Sequence, residues 1–275
     1  MTVTTTAKAA PPGPEADGSA PTEDGQLRVA LRAVGVIAHR DLLRQVKKPG
    51  VLCSQGVQIL FFVLVYAVGF DGMVGSVGSM PFSAYVFPGI IAIQVVSISI
   101  ASGQSYAWDR EYGVLRELLV APVPRVCLPL GKVLAGTGMV TVQSIVMLAF
   151  SPLMGVPLAP ARFVATVGCY ALAAMVFSVI GLCLATLIQR VQTLQATVQM
   201  AMFPMLFLSG SVFAADDAPA WLAWIMHANP MTYAVDLARQ TLLGGGGLLS
   251  WWADLCVLGT VLAAVLTLLR IRSGR

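Results

Sequence analysis

Charged side chains are scarce in this sequence of 275 residues: Asp, Glu, Lys and Arg make up 11% of it, whereas hydrophobic residues make up 57%. Soluble domains carry roughly 25% charged residues. A soluble core does not account for so apolar a composition, and the chain is therefore predicted to lie in a membrane. The net charge of +4 is small, and a basic rim facing anionic lipid explains it without a nucleic-acid partner.

Residues suited to catalysis or metal binding are also few. The two histidines, His39 and His227, fall on opposite predicted sides of the membrane, so they cannot build one zinc site or a Ser/His/Asp triad. The five cysteines have no CxxC spacing, and an odd number cannot pair completely. We therefore predict a chain that is not an enzyme, has no catalytic or metal-binding residues and holds no cofactor of its own.

Two energy sources for transport are missing as well. ATP hydrolysis would need a glycine-rich GxxxxGK[ST] loop, but the only Gly-Lys pair, Gly131 and Lys132, is followed by valine and lacks the first glycine of that loop. Ion-coupled carriers generally keep ionisable groups inside their spans, but the predicted spans contain no Asp or Glu except Asp254, near the outer end of the last one. If the chain pumps, it therefore needs a separate ATPase.

What the sequence does have is apolar runs of membrane-spanning length, which is about 20 residues for a hydrocarbon core of roughly 30 Å. The runs are continuously apolar rather than alternating, so helices are the predicted spanning form. The predicted fold class is an all-α membrane protein. Six transmembrane helices are predicted, over residues 51–70, 85–106, 126–150, 163–188, 194–213 and 248–269.

The first 50 residues contain no such run. Residues 1–26 are rich in Thr, Ala, Pro, Gly and acidic residues, which predicts a disordered tail. Residues 27–50 combine an apolar face with basic residues, which predicts an interfacial amphipathic helix in the headgroup layer. The predicted transmembrane domain then occupies residues 51–275.

Lys and Arg are distributed unevenly between the two predicted sides of the membrane. On the six-span topology, fifteen of the seventeen fall on the side of the termini, and only Arg162 and Arg239 fall on the other. Basic loops stay in the cytoplasm. Both termini of this multi-pass protein are therefore predicted to be cytoplasmic.

A charged segment between the second and third predicted spans, residues 109–122, reads DREYGVLRELLVAP. It resembles the cytoplasmic segment after the second span in the ABC-2 family of ATP-driven exporter permeases, where the pattern is (E/D)-R-E-x-G-T-L-E-x-L-x-x-(T/S)-P. Three further segments resemble that family in the same order: LGKVL at 130–134, FPMLFLSGSVF at 203–213 and NPMTYAVDLAR at 229–239. The similarity covers most of residues 27–275 and is most marked for bacterial drug-resistance permeases of the daunorubicin type.

This resemblance implies a function for the charged segment. It implies a short cytoplasmic coupling helix, Asp109 to Val120, that contacts an ATPase subunit, whereas a solvated connector is the alternative. Asp109 and Glu111 are expected near the start of this helix, where the helix dipole favours negative charge. The predicted coupling residues are Asp109, Arg110, Glu111, Gly113, Leu115 and Glu117.

The outer connection, residues 214–247, is predicted to form a short re-entrant helical segment before the sixth span. The resemblance implies an external lid over the exit path. An interfacial helix that only anchors the chain is the alternative. The predicted external gate residues are Phe207, Ser209 and Gly210.

Polar residues recur at spacings of three or four in two of the spans, so each set shares a helix face. Contact with transported cargo and hydrogen bonding between helices are both open as explanations. The candidate transport-path residues are Gln94, Ser97 and Gln104 in the second span, and Gln195, Gln199 and Met202 in the fifth.

The function that the resemblance implies is that of the transmembrane permease subunit of an ATP-driven exporter for a hydrophobic drug, antibiotic or lipid-like molecule. The implied partners are two copies of an ABC ATPase subunit, which bind ATP and Mg²⁺, a second permease copy or a close homologue, and the lipid bilayer. The implied location is the bacterial inner membrane. Export of a polysaccharide or another glycan, ion-coupled secondary transport, and assembly without transport remain alternatives.

Overall fold

The computed structural model describes residues 32, 34–43, 47, 49–65, 69, 76–77, 80–113, 127–156, 159–211, 219–245 and 249–273. Residues 34–43 are helical. The helices that follow are α1 (Pro49–Leu64), α2 (Phe82–Glu111), α3 (Cys127–Leu148), α4 (Pro160–Leu187), α5 (Val191–Phe207), α6 (Ala220–Ala228), α7 (Pro230–Leu243) and α8 (Trp251–Ser273). A 3-10 turn, Ser151–Met154, follows α3, and a short antiparallel pair, β1 (Ser76–Val77) with β2 (Met80–Pro81), precedes α2. The predicted helical architecture is confirmed apart from this pair.

Four helices in the described ranges are long and apolar enough to cross a membrane: α2, the part of α3 from Pro129 to Leu148, α4, and the part of α8 from Trp251 to Leu269. The sequence predicts six. The first and fifth predicted spans, 51–70 and 194–213, overlap α1 and α5, which have 16 and 17 residues. At about 1.5 Å per residue, each described helix is shorter than the roughly 30 Å hydrocarbon core. Six spans therefore stay a prediction.

The N-terminal predictions are only partly covered. The tail, residues 1–26, and much of the predicted interfacial helix, residues 27–50, lie outside the described residues. Within the second range, residues 34–43 are helical, and Pro49 is the first residue of α1. Proline suits the first turn of a helix because the amide hydrogen that it lacks would have no partner there.

The charged segment after the second span begins differently from the prediction. A coupling helix was expected to start at Asp109, but α2 runs without interruption from Phe82 to Glu111, so Asp109 lies in its last turn. Charged residues end the part of a helix that fits in lipid, yet the backbone hydrogen bonds can continue into water. The predicted boundary marked that change of environment, and the helix itself extends beyond it.

Small residues let α2 and α4 lie side by side, running in the same direction. A methyl carbon added at Gly181 would lie 2.8 Å from the carbonyl oxygen of Ile100, and one added at Gly103 would overlap the backbone at Gly181. The Ser102 hydroxyl donates to Ser178 Oγ at 3.1 Å across this contact. Close backbone approach with hydrogen-bonded hydroxyl groups is typical of helices that pack without a water-driven hydrophobic effect.

The predicted outer segment contains two helices, α6 and α7, that meet at Asn229. Asn229 Oδ1 accepts the backbone N–H of Met231 at 3.0 Å, and Pro230 is the first residue of α7. An asparagine cap followed by proline is a strong helix start. A helical pair was predicted within residues 214–247; its re-entrant position relative to the bilayer stays a prediction.

Candidate coupling and outer-gate sites

At the C-terminal end of α2, a buried ammonium group joins three parts of the chain. Lys132 of α3 is 4% exposed. Its Nζ lies 2.6 Å from Asp109 Oδ2, 3.5 Å from Asp41 Oδ2 and 3.0 Å from Ser105 Oγ. Because a buried charge is tolerated only when it is paired, this cluster fixes the helical segment 34–43 and the adjoining ends of α2 and α3 relative to one another.

The glycine before this lysine serves the same joint. A methyl carbon added at Gly131 would lie 2.7 Å from Cγ2 of Ile37, so the glycine lets the segment 34–43 approach the backbone of α3. The family motif LGKVL contains Lys132 without indicating its partners, and Asp41 is not among the residues singled out from the sequence. The available signal was that Asp41 is the only acidic residue in the basic range 27–50.

Arg110, the next residue of the charged motif, binds the C-terminal end of α4. Its Nη1 donates to the carbonyl oxygen of Ala185 at 3.0 Å, and its Nη2 donates to those of Ile188 and Gln189, each at 2.9 Å. The last carbonyl groups of a helix have no partner within the helix, and the helix dipole there favours a positive charge. One guanidinium group thus binds three carbonyl groups in the last turn of α4 and in the two residues that follow it.

Glu111 binds the beginning of the following helix. Its Oε2 accepts the backbone N–H of Val191, the first residue of α5, at 3.3 Å. A carboxylate is favourable at a helix N-terminus for the same electrostatic reason that a cation is favourable at a C-terminus. Consecutive side chains of α2, Arg110 and Glu111, therefore hold both ends of the α4–α5 turn, residues 188–190. We call this arrangement the clamp.

Beyond the clamp, α2 ends in an exposed aromatic pair. The rings of Trp108 and Tyr112 stack with centroids 5.5 Å apart, and both side chains are exposed. Gly113 then adopts a φ of 77°, a left-handed conformation that glycine adopts without steric cost. A glycine is therefore required at this end of the helix for a backbone reason.

The described coupling residues thus bind the chain itself. Asp109 pairs with α3, while Arg110 and Glu111 hold the α4–α5 turn. Their predicted contact with an ATPase stays a prediction. Leu115 and Glu117 lie outside the described residues.

At the opposite end of the bundle, α5 ends in a compact turn that contains the predicted gate residues. Ser209 is buried, and its Oγ contacts the carbonyl oxygen of Leu206 at 2.7 Å and Ser211 Oγ at 3.0 Å. Gly210 has a φ of 69°. The third predicted gate residue, Phe207, is 42% exposed. Ser209 and Gly210 therefore shape the turn, whereas Phe207 lies on its surface.

Three side chains of the outer helical pair reach carbonyl groups at this α5 end. Asn229 Nδ2 donates to Met205 at 2.9 Å, and Arg239 Nη2 donates to Gly210 at 3.0 Å. Thr232 Oγ1 lies 3.2 Å from the carbonyl oxygen of Leu208, but the nearer acceptor for its one proton is the carbonyl oxygen of Met226 in α6, at 2.7 Å. The two outer sequence motifs, at 203–213 and 229–239, thus bind each other. The sequence reasoning treated them as separate segments and did not include the three donors among its site residues.

The candidate path residues have different environments. Gln94 is buried, and its Nε2 has no hydrogen-bond partner among the described residues. Ser97 Oγ donates to Ile93 of its own helix at 2.8 Å. Gln104, Gln195 and Met202 are half-buried, and Gln199 is exposed. Whether these residues line a path stays a prediction.

The one acidic residue in the predicted spans lies at a joint between α7 and α8. Gln240 Nε2 lies 2.9 Å from Asp254 Oδ2, 3.1 Å from Asp236 Oδ2 and 2.8 Å from the carbonyl oxygen of Leu249. Asp236 Oδ2 also accepts the backbone N–H of Leu249 at 3.0 Å. Both carboxylates are buried. These bonds hold the start of α8 against α7.

A comparison with protein families decides what these sites belong to. Residues 32–243 match the family model described as ABC-2 type transporter. The chain belongs to the ABC-2 type transporter family. The resemblance that the four sequence motifs indicated is thereby confirmed, and all four motifs lie within the matched range.

Named relatives of this ABC-2 chain are transport permeases. It is 28% identical over 184 residues to the probable multidrug ABC transporter permease YbhR of Escherichia coli K12, a match that covers 64% of this chain and 48% of the relative, so the chain spans about half that protein's length. It is 25% identical over 204 residues to the daunorubicin resistance ABC transporter permease protein DrrB1 of Streptomyces coeruleorubidus. That match covers 72% of this chain and 70% of the relative. The inner membrane transport permease YadH of Escherichia coli K12 is 25% identical over 185 residues. That match covers 66% of this chain and 72% of the relative.

Within this member of the ABC-2 family, the family motifs lie at two separate joints. The charged motif and LGK meet at the C-terminal end of α2, and the other two motifs meet beside the N-terminal end of α2. The stretch of α2 from Tyr85, beside Arg239, to Arg110 covers about 37 Å at roughly 1.5 Å per residue. The two joints are therefore a membrane thickness apart.

Proposed function

We propose that this chain is the transmembrane permease subunit of an ATP-driven exporter that moves a hydrophobic drug, antibiotic or lipid-like molecule out of the cytoplasm or the inner leaflet. The observation that carries the proposal is the ABC-2 match over residues 32–243. Relatives named for multidrug transport and daunorubicin resistance favour this cargo class. ATP and Mg²⁺ would bind to two copies of a separate ATPase subunit, because the sequence has no GxxxxGK[ST] loop.

The clamp gives the ATPase a mechanical route to the cargo path. An ATPase that docks near Trp108 and Gly113 would push on the end of α2. Because Arg110 and Glu111 bind both ends of the α4–α5 turn, displacement of α2 would move the start of α5. That helix carries three of the candidate path residues, Gln195, Gln199 and Met202, and the other three lie on α2.

The surface of α5 favours a second permease copy or a close homologue. Its buried residues are Val191, Leu194 and Val198, all on one face. Most of the remaining circumference is uncovered, including Gln199 and the 82% exposed Met200. Glutamine side chains are costly in contact with lipid and usually face protein or water. The opposite face of α5 would therefore meet the partner permease, with the cargo path between them.

The topology that fits this function has six spans, with both termini in the cytoplasm of a bacterium and α1 and α5 as the two spans that do not reach full length within the described residues. It rests on the uneven distribution of Lys and Arg. In a cysteine-free chain, a cysteine introduced at residue 1 or 275 should react with a membrane-impermeant maleimide only after the cells are opened. A cysteine at Asp217 should react in intact cells. External reaction at residue 275 would contradict the six-span arrangement.

The energy source tests the proposed function directly. The permease is reconstituted in vesicles together with its partner ABC ATPase, and uptake of a fluorescent hydrophobic drug into inverted vesicles is measured. We expect uptake to require ATP and Mg²⁺ and to stop when ATP is removed while the proton and sodium gradients are kept. Uptake that continues on gradients alone would instead identify a secondary carrier. No uptake of drugs or lipid-like probes with an active ATPase would exclude the proposed cargo class.

A further inference from the structure

Two glutamine side chains in the core of the bundle each leave one amide atom without a hydrogen-bond partner among the described residues. Gln94 of α2 is 7% exposed, and Gln143 of α3 is 8% exposed. The atoms concerned are Gln94 Nε2, which is a donor, and Gln143 Oε1, which is an acceptor. Burying an amide group without a partner is costly, so both atoms are expected to have one.

The register of α2 against α3 places these two glutamines opposite each other. Lys132 Nζ of α3 lies 3.0 Å from Ser105 Oγ of α2, and a methyl carbon added at Gly136 would overlap the side chain of Ser102. The two helices therefore run in opposite directions, and each step forward along α3 faces a step back along α2. Two turns further from Lys132, seven residues after Gly136 and eight before Ser102, each helix carries its glutamine on this seam.

The third helix at this level, α4, supplies no partner to either amide atom. Ser178 of α4 faces Ser102 of α2, and the two helices run in the same direction. Tyr170, eight residues before Ser178, therefore lies near the level of Gln94. The Tyr170 hydroxyl donates to the carbonyl oxygen of Pro88 at 2.9 Å. The two amide atoms are not bonded to each other either, so a partner for both must come between them.

Water is the molecule whose size and hydrogen bonding fit both atoms. It accepts a hydrogen bond from Gln94 Nε2 and donates one to Gln143 Oε1 at the same time. Because both side chains are more than nine-tenths buried, a drug-sized molecule does not reach them in this structure. We infer that one water molecule binds between Gln94 and Gln143 and bridges α2 to α3 inside the bundle.

This water site assigns a role to Gln94, for which cargo contact and hydrogen bonding between helices were both open. Gln94 lies about 14 Å along α2 from Tyr85 and about 24 Å from Arg110, at roughly 1.5 Å per residue. At that depth the surrounding lipid offers no hydrogen-bond partner, and polar contacts between helices hold a bundle together. Gln94 serves such a contact, through water, and the site does not depend on the exporter function.

Radiolytic labelling of the whole chain in lipid nanodiscs tests for the water directly. X-ray pulses convert water to hydroxyl radicals, which oxidise side chains beside a bound water, and methionine is readily oxidised. Met139 and Met147 lie one turn before and one turn after Gln143 and are 2% and 1% exposed. At least one of them should be oxidised in the wild-type chain, and this oxidation should be lost when Gln94→Leu and Gln143→Leu are combined. Met231, 0% exposed in α7, is the control and should be oxidised to the same extent in both proteins.

A double-mutant cycle tests whether the two glutamines share the water. Gln94→Leu or Gln143→Leu alone removes one partner of the water and should lower the unfolding temperature. The double variant should be no less stable than the less stable single variant. In a seam without water, each single replacement would instead remove an unpaired amide and raise the unfolding temperature. Gln104→Leu with Gln143→Leu is the control cycle, because Gln104 is ten residues from Gln94 on α2, and its two shifts should add.

Each experiment has a result that overturns the water site. Unoxidised Met139 and Met147 in the wild-type chain would do so, as would equal oxidation in the double variant. In the cycle, additive shifts for Gln94 and Gln143, or single variants more stable than the wild type, would do the same. Non-additive shifts without methionine oxidation would show that the two amides bond directly, which also contradicts the inference.

Discussion

Replacing Arg110 by lysine should lower ATP-driven export about tenfold or further while the protein still inserts in the membrane. The guanidinium group of Arg110 donates to three carbonyl groups, those of Ala185, Ile188 and Gln189. A lysine keeps the positive charge, but its single ammonium group on a flexible stem cannot present the planar fork of arginine. At least two of the three hydrogen bonds should therefore be lost.

Hydrogen bonds to charged groups are worth about 1.5–3 kcal/mol each, so losing two should loosen the α4–α5 turn by a factor of ten or more. Movement of α2 would then no longer reach α5. We expect export to fall about tenfold or further, with basal ATP hydrolysis retained and cargo-stimulated hydrolysis lost. The measurement compares ATP-dependent uptake and hydrolysis in the same vesicles at matched protein content.

Arg190→Lys is the matched control for this experiment. Arg190 lies in the α4–α5 turn and is exposed. Its replacement by lysine is the same substitution as Arg110→Lys. It should retain normal export. If Arg110→Lys also exports normally, the clamp does not transmit movement, and the charged segment is only a connector between two spans.

The second large effect is expected from Gly181→Val, which should prevent stable folding of the helix bundle. The added methyl carbon would lie 2.8 Å from the carbonyl oxygen of Ile100 and 2.9 Å from its Cα. These are backbone atoms of α2, so a change of rotamer cannot relieve the contact. The helices must separate, which would also pull apart the hydrogen bond between Ser102 and Ser178. Overpacking of this kind costs about 1–3 kcal/mol, and more where backbone must move.

Gly168→Val provides a control on the same helix. No heavy atom lies within 4 Å of a methyl carbon added at Gly168. Gly168→Val therefore changes helix propensity and hydrophobicity as much as Gly181→Val does, but it crowds no neighbour. Fluorescence-detected size-exclusion chromatography after heating in detergent measures the folded fraction. Gly181→Val should lose its monodisperse peak at a clearly lower temperature than Gly168→Val. Equal stability of the two variants would show that α2 and α4 do not approach as closely as described.

The location of the charged and polar motifs could be predicted from sequence, but their partners could not. The resemblance implies that the motif beginning at Asp109 contacts an ATPase subunit, which stays a prediction, and it says nothing of contacts within the chain. The carbonyl groups that Arg110 binds, at 185, 188 and 189, are more than seventy positions away in the sequence. They become acceptors only because α4 ends at Leu187 and lies beside α2.

The outer motifs illustrate the same limit. The resemblance implies a gate at the outer end of the segment 203–213, and the segment 229–239 was recognised only as similar to a family motif. Neither pattern states that Asn229 and Arg239 donate to the end of α5, because a donor in a sequence does not specify its acceptor. The candidate path residues were chosen because they share a helix face. A shared helix face does not define what covers that face.

The sequence by itself determined that this protein is a helical membrane protein that resembles the ABC-2 family, and it predicts that the basic residues lie mainly on one side of the membrane. These properties follow from composition, from run length and from motif order, all of which are local or additive along the chain. Only the tertiary structure decided that α2 continues through the charged motif to Glu111, that Lys132 binds Asp41, and that the outer motifs bind each other. Those outcomes depend on which unsatisfied carbonyl groups and buried charges the packing of distant helices brings within hydrogen-bond distance.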